Sequence, residues 1–284
     1  MFRIATAALL AAFLAPSAAD AACPDEAAVE ALSRSILASQ PAQPLAGMTG
    51  LADGVCAQER LVRALVPQLG RPVGYKVGLT NPAAQQSFGV PHPLTGVIYE
   101  STVRLRSGAE VPANFAAVPR VEADLLVRIR DESINDARTP LEVLRALDQV
   151  IPFIELPDLV LAQGMNGPNL LAINVGARLG VVGEAIPVEA TEAFAARLAA
   201  MVVTLHADER ELARAPGSAL LGHPLLVLPW LAQDLASRGQ RLRAGELISL
   251  GGFSPALPVE AGRTYVVRYE GLLPQTVSVS VRVR

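Results

Sequence analysis

The chain has no surplus of positive charge: 24 Lys and Arg stand against 27 Asp and Glu, for a net charge of −3. That balance excludes the basic footprint of a nucleic-acid binder. Charged residues are only 18% of the total and hydrophobic ones 51%, which excludes a chain too polar to bury a core. No hydrophobic run is long enough to hold the mature protein in a bilayer, since the run Ile4 to Leu14 falls short of a span. Internal repeats, low-complexity segments and linkers are absent. Cysteine is nearly so: Cys23 and Cys56 are the only two, and neither has a catalytic setting. In an oxidising compartment they are expected to form one disulfide; in a reducing one they would be two buried thiols.

The N-terminus bears on that choice. Met1-Phe2-Arg3 is a basic start, the short apolar run follows, and Ala19-Asp20-Ala21 fits a small-x-small cleavage site. Residues 1–21 therefore read as a secretory signal peptide. Asp20 stands where a lipoprotein signal would want an apolar residue, so the expectation is plain export, periplasmic or fully secreted, with no stable membrane anchor.

Glycine and proline, at 22 each, imply many turns and argue against a helix bundle. Residues 25–39 carry a 3.6-residue stripe (Val29, Leu32, Ile36), and 55–69 carry a second (Leu61, Leu65, Leu69). Together they predict a helical N-terminal subdomain over 22–72. Beyond it the pattern is mostly β: strands at 96–99, 121–130, 170–182 (broken by Gly176 and Gly180), 247–250, 264–269 and 276–283, and a hairpin over 198–212. Thr139-Pro140-Leu141-Glu142 is a capping box with proline at the first helical position, and is expected to open a crossover helix. A further helix is expected from Leu221 to Ser237. The fold class is α+β.

The chemistry concentrates between Arg120 and Asp158. Side chains alternate along a strand, so Glu122 and Asp124 share one face while Val121, Ala123 and Leu125 enter a core. Glu155 sits in a second apolar run, where an unpaired carboxylate would be costly to bury. Three carboxylates converging from two strands suit a hard divalent cation. The spacing alone equally fits an amphipathic strand with solvated acids and a salt-bridged Glu155. Lys76 lies in the Gly-flanked stretch Gly74-Tyr75-Lys76-Val77-Gly78, which lacks the spacing of a P-loop. It reads either as a snorkelling surface lysine or as one held beside a carboxylate or anion. His92 lies in a Pro/Gly-rich loop that could cover a site, and His223 reads as a packing residue.

Several stretches together resemble the 2-keto-4-pentenoate hydratase group of the fumarylacetoacetate hydrolase superfamily. They are Gly74-Tyr75-Lys76-Val77-Gly78-Leu79-Thr80, Gln85-Gln86-Ser87-Phe88-Gly89-Val90, Arg120-Val121-Glu122-Ala123-Asp124, Phe153-Ile154-Glu155, Leu221-Gly222-His223-Pro224-Leu225, Trp230-Leu231-Ala232 and Leu242-Arg243-Ala244-Gly245-Glu246. The resemblance implies a mixed β-roll over 73–284 behind the helical subdomain, and assembly into homo-oligomers. It implies Mg²⁺ or Mn²⁺ on Glu122, Asp124 and Glu155, with Lys76 as the catalytic lysine. Lys76, Gly78, Leu79 and His92 are the implied contacts to a small 2-oxo acid substrate. The implied activity is hydration of a 2-hydroxypenta-2,4-dienoate in aromatic-compound catabolism. The alternatives are decarboxylation or C–C hydrolysis of a related 2-oxo acid, or an exported homologue that binds without turnover. The sequence departs from the family pattern at five positions. Asp124 replaces a Glu, Leu94 an acidic residue, Ile173 an Asp, Gly176 a Ser, and Leu250 a Thr.

Overall fold

A computed structural model describes residues 23–284, so the signal-peptide expectation for residues 1–21 lies outside the described residues. The N-terminal stripes form α1 (Glu26–Leu37) and α2 (Leu51–Leu69). Asp25 caps α1 by accepting from the Ala27 N–H. The second helix begins four residues earlier than its apolar stripe suggests, because Asp53 accepts from the N–H of Gly50 and closes the first turn. Cys23 and Cys56 are joined, with Cα atoms 5.4 Å apart, tying the approach to α1 to the side of α2.

Next come β1 (Pro72–Gly78), α3 (Pro82–Phe88), β2 (Leu94–Tyr99), β3 (Leu105–Arg106), β4 (Ala109–Val111) and β5 (Arg120–Ile129). The capping box of Thr139 and Glu142 opens α4 (Pro140–Arg145), followed by β6 (Leu147–Leu156), α5 (Gly167–Ala172), β7 (Leu179–Val182) and β8 (Ile186–Pro187). The remainder is α6 (Glu192–Ala200), β9 (Val202–Ala207), β10 (Arg210–Pro216), α7 (Val227–Ser237), β11 (Leu247–Ser249), β12 (Leu257–Pro258), β13 (Thr264–Glu270) and β14 (Val277–Val283). The fold class is the expected mixed α+β. No helix among the described residues is long and apolar enough to cross a membrane.

Three local expectations are corrected. Only the end of 170–182 is strand, as β7; its beginning is the end of α5, because Asn166 accepts from the Asn169 N–H and Pro168 occupies the first turn. Its apolar run is buried almost throughout, so periodicity could not separate helix from strand there. Nor is α4 a crossover, because β5 and β6 pair antiparallel and directly. The hairpin begins at Val202, since Thr191 caps α6 ahead of it.

Two sheets result. The larger is nine-stranded, with its main path in the order β2-β1-β11-β5-β6-β7-β3, and the smaller runs β10-β9-β13-β14-β4. The principal core lies between them, where Val121, Ala123 and Leu125 of β5 meet Val267, Tyr269 and Val279 of the second sheet. A second core joins Val29, Leu61 and Leu65 of the helices to Leu94, Leu170 and Val175 of the body. Gly54 permits that docking, since a Cβ there would lie 2.6 Å from the Pro168 carbonyl oxygen and 2.9 Å from the Leu171 Cβ.

Tyr269 links the two sheets. Its buried hydroxyl accepts from the Phe153 N–H at 3.0 Å and donates to the Asp124 carbonyl, so one side chain stands inside the β5–β6 ladder at the register pair Asp124–Phe153. Tyr269→Phe leaves the shape of the ring but strands those backbone groups. It is expected to cost about 1–3 kcal/mol in denaturant unfolding, and a loss below 0.5 kcal/mol would remove this role.

Candidate active site

Adjacent strands of the larger sheet bring the sequence-predicted groups together. Lys76 of β1 is in register with Ser249 of β11, and Glu122 of β5 pairs directly with Glu155 of β6. Asp124 follows two residues along β5. The ladder therefore opposes two like charges across one pair of strands, an arrangement that is destabilising without a cation.

Lys76 supplies part of that cation. Its side chain is 5% exposed, its Nζ donates to Glu155 Oε1, and it donates to the Val175 carbonyl at 3.0 Å. The snorkelling reading is thereby set aside. Val175 presents its carbonyl from a positive φ of 53°, beside Asn174 at 55°. Such a backbone costs a β-branched residue on the order of 1–3 kcal/mol. Asn174 stabilises the turn through its amide: Oδ1 accepts from the Val97 N–H at 2.7 Å and from Gln58 Nε2, while Nδ2 donates to the Val97 carbonyl.

Asp124 is fully buried and held from behind. Ser249 Oγ donates to one of its carboxylate oxygens at 2.5 Å, and the Leu125 and Gly251 N–H groups donate to the other. Among the described residues, no group of three or more His, Cys, Asp or Glu side chains is already arranged to hold a metal ion. The three-carboxylate chelate read from the sequence is thus only partly formed. Lys76 closes on Glu155, and Asp124 is turned toward Ser249. Glu122 and Glu155 line a cavity of about 460 Å³ with Lys76, and Asp124 does not.

Gly78 and Leu79 lie on the same cavity. His92 does not: its Nδ1 contacts the Pro93 carbonyl, and its ring sits 6.2 Å from that of Trp230. The expected substrate contact at His92 is therefore corrected. Leu94 belongs to β2 rather than to a loop and is buried in the second core. His223 caps the turn before α7 through Leu225, as a packing residue. Sequence reasoning missed Ser249, the Val175 carbonyl and Gly252. A Cβ on Gly252 would stand 2.6 Å from Glu122 Oε2 and 2.8 Å from the Ser254 carbonyl. A backbone carbonyl and a glycine carry no side-chain signal; Ser249, a lone hydroxyl in the apolar run Leu247 to Leu250, carries a weak one.

The electrostatics follow from this crowding. Burial, reinforced by the Glu155 charge, pushes the Glu122 carboxyl up to about 8 against the opposing pull of Lys76. Burial and Glu155 likewise push Asp124 up to about 7, although hydrogen bonds from Ser249 and Leu125 oppose the shift. Burial works against the Lys76 charge, but Glu155, Glu122 and Asp124 together outweigh it and hold the ammonium above the usual lysine range. Three carboxyl groups and one ammonium thus make an oxygen-rich site whose acids outnumber its cations.

Comparison with known proteins agrees with the residue-level resemblance. The TodF product hydratase of Pseudomonas putida is 31% identical over 245 residues, covering 84% of this chain and 88% of that protein. The 2-keto-4-pentenoate hydratase 2 of Dechloromonas aromatica is 28% identical over 87% of this chain and 94% of its own length. Among solved structures, the 4-oxalocrotonate decarboxylase from Pseudomonas putida G7, complexed with magnesium and adipate, superposes with a TM-score of 0.80. Its identity is 26%, over 91% of this chain and 97% of that one. No family model matches the chain.

The Gly252 contact yields a direct test. Gly252→Ala must displace Glu122, and is expected to weaken Mg²⁺ binding by about 10–100-fold in calorimetry with an unchanged far-ultraviolet spectrum. Undiminished affinity would show that Gly252 does not shape the site.

Proposed function

The chain belongs to the 2-keto-4-pentenoate hydratase group of the fumarylacetoacetate hydrolase superfamily, and from that premise we propose that it is a metal-dependent hydro-lyase. Its substrate would be of the 2-hydroxypenta-2,4-dienoate (2-keto-4-pentenoate) type. The observation that carries this reading is the buried Lys76–Glu155 pair, in register with Glu122 on the wall of a cavity.

The residues fit a divalent cation. Every acidic donor is an oxygen, the ligand type that Mg²⁺ and Mn²⁺ prefer, and three carboxyl groups act on a single ammonium, Glu155 by direct contact and Glu122 and Asp124 through their charge. Glu122, Asp124 and Glu155 would hold the ion, with Ser249 and the Gly251 N–H fixing Asp124 from behind. Bound there, the cation supplies Lewis acidity toward the carboxylate and keto oxygens of a 2-oxo acid.

The chain's own groups do the rest. An ammonium has three N–H donors; Lys76 commits one to Glu155 and one to the Val175 carbonyl, which leaves one for the substrate. It neutralises charge developing on the C2 oxygen and exchanges a proton there. Leu94 brings no acid to the cavity. Proton handling falls to Lys76, Glu122 and Glu155, the only ionisable side chains on the lining among the described residues. Gly78 and Leu79 border the same space and complete the substrate contacts.

Decarboxylation of a related 2-oxo acid is the second reading, favoured by the likeness to the decarboxylase structure. It uses the same site and needs no added water.

The mature protein with Mg²⁺ or Mn²⁺ is expected to consume the absorbance of 2-hydroxypenta-2,4-dienoate and yield a 4-hydroxy-2-oxo acid. Lys76→Met should lower kcat by about 10²–10⁴-fold. Glu122→Ala should abolish the rise in Tm on adding Mg²⁺, while stability changes by no more than the common range of about 0.5–3 kcal/mol. Unchanged absorbance would sink the hydratase reading, and release of CO₂ from the corresponding diacid would replace it with the decarboxylase.

We further propose that the protein is exported to the periplasm or beyond and works as a homo-oligomer. The disulfide of Cys23 with Cys56 supports an oxidising compartment. Intact mass of the protein recovered from the periplasmic fraction should show removal of about the first 21 residues and no free thiol. Light scattering of the same sample should show a multiple of the mature chain mass. Full-length chain retained in the cytoplasm would refute export.

A further inference from the structure

The cavity lining is of two chemical kinds. Lys76, Glu122 and Glu155 are its ionisable part, and Leu79, Phe88, Leu159, Leu170 and Phe253 stand in its apolar part. Most of that wall is the rim of the second core, against which Leu79, Phe88 and Leu159 pack and in which Leu170 is buried. The surface is thus held by the same packing that docks the N-terminal helices.

Charge is distributed just as unevenly. Lys76 is the only Lys, Arg or His on the lining among the described residues, and it is already engaged by Glu155. The other polar side chains on the lining, apart from the two glutamates, are uncharged, and three of them already make one hydrogen bond within the fold. Asn81 accepts from the Ala84 N–H at 2.9 Å, Ser87 donates to the Ala83 carbonyl at 2.9 Å, and Ser254 accepts from the Ala123 N–H at 3.0 Å. A carboxylate placed against the apolar part would meet no cation, and burying an unpaired charge is strongly unfavourable. An alkyl or aryl group there would gain from leaving water. A volume of about 460 Å³ lies within the range that holds drug-sized molecules, well beyond what a five-carbon acid fills.

We propose that this enzyme selects 2-oxo (or 2-hydroxydienoic) monoacids whose chain continues past C5 into an uncharged alkyl or aryl tail, and that the α3–α5 wall, through Phe88 and Leu170, sets tail length. The proposal rests on the 2-oxo acid reading of the ionisable part. It adds that C6 diacids are excluded, because the distal wall offers no counter-charge.

The test is calorimetric titration of the full mature protein, loaded with Mg²⁺, with a homologous series of saturated 2-oxo acids. 2-Oxobutanoate, 2-oxohexanoate and 2-oxooctanoate vary tail length, and 2-oxoadipate replaces the terminal methyl of 2-oxohexanoate by a carboxylate. Kd is expected to tighten about fourfold per added methylene, and 2-oxoadipate to bind at least tenfold more weakly than 2-oxohexanoate. Phe88→Ala should flatten the dependence on chain length. A flat or inverted series in the native protein, or a diacid that binds as well as the monoacid, overturns the proposal while leaving the 2-oxo acid site standing. Failure of every acid to bind overturns the reading of the site itself, and the proposal with it.

Discussion

Two carboxylates face each other across a pair of antiparallel strands, and the rest of the structure answers to that fact. Glu122 and Glu155 are register partners in the largest sheet, with Asp124 two residues away. Like charges in this position repel, and in a buried setting water cannot screen them. The chain tolerates the arrangement by placing Lys76 on a neighbouring strand path, with Ser249 and backbone N–H groups on Asp124. Burial first, and then the Glu155 charge that Lys76 only partly offsets, make Glu122 and Asp124 hold their protons well above the usual acidic range. A structural ion pair would have been balanced; this cluster is left short of positive charge on the side that faces a cavity.

The support around the cluster is correspondingly rigid. Tyr269 reaches from the second sheet into the ladder at Asp124 and Phe153, so the core between the sheets also fixes the spacing of the carboxylate strands. The Asn174–Val175 turn aims a carbonyl at Lys76 from a conformation that an isolated chain would avoid. Buried polar groups of this kind are costly singly and rigidifying when mutually satisfied.

Much of the arrangement was legible in the residues. The period-two placement of Glu122 and Asp124 is realised in β5, and the isolated Glu155 lies in the apolar β6. The Thr139–Glu142 capping box marked a real helix start. What the sequence concealed has identifiable causes. Residues 170–176 are buried on nearly all sides, so their pattern lost the periodicity that tells helix from strand. The placement of His92 rested on its position in a loop, and loop geometry is set by tertiary packing, here against Trp230. Asp124 was read as open toward a ligand, but its partners Ser249 and Gly251 are more than a hundred residues away in the chain. Backbone contributors such as the Val175 carbonyl leave no trace in side-chain identity.

The hydrogen bonds of Gln58 carry a consequence for how the chain can be divided. From the middle of α2, its amide donates to the Thr95 carbonyl at 2.7 Å and to Asn174 Oδ1 at 3.2 Å. Asn174 in turn holds the turn that seats Lys76. A change in composition near Pro72 suggests a boundary between helices and sheet, yet the ammonium on one side of it takes its orientation from a glutamine on the other. The helices and the sheet are therefore coupled at this point. Through Gln58 and Asn174 the N-terminal helices support the turn whose carbonyl receives Lys76, so exchanging them would disturb the seat of the lysine as well as the second core.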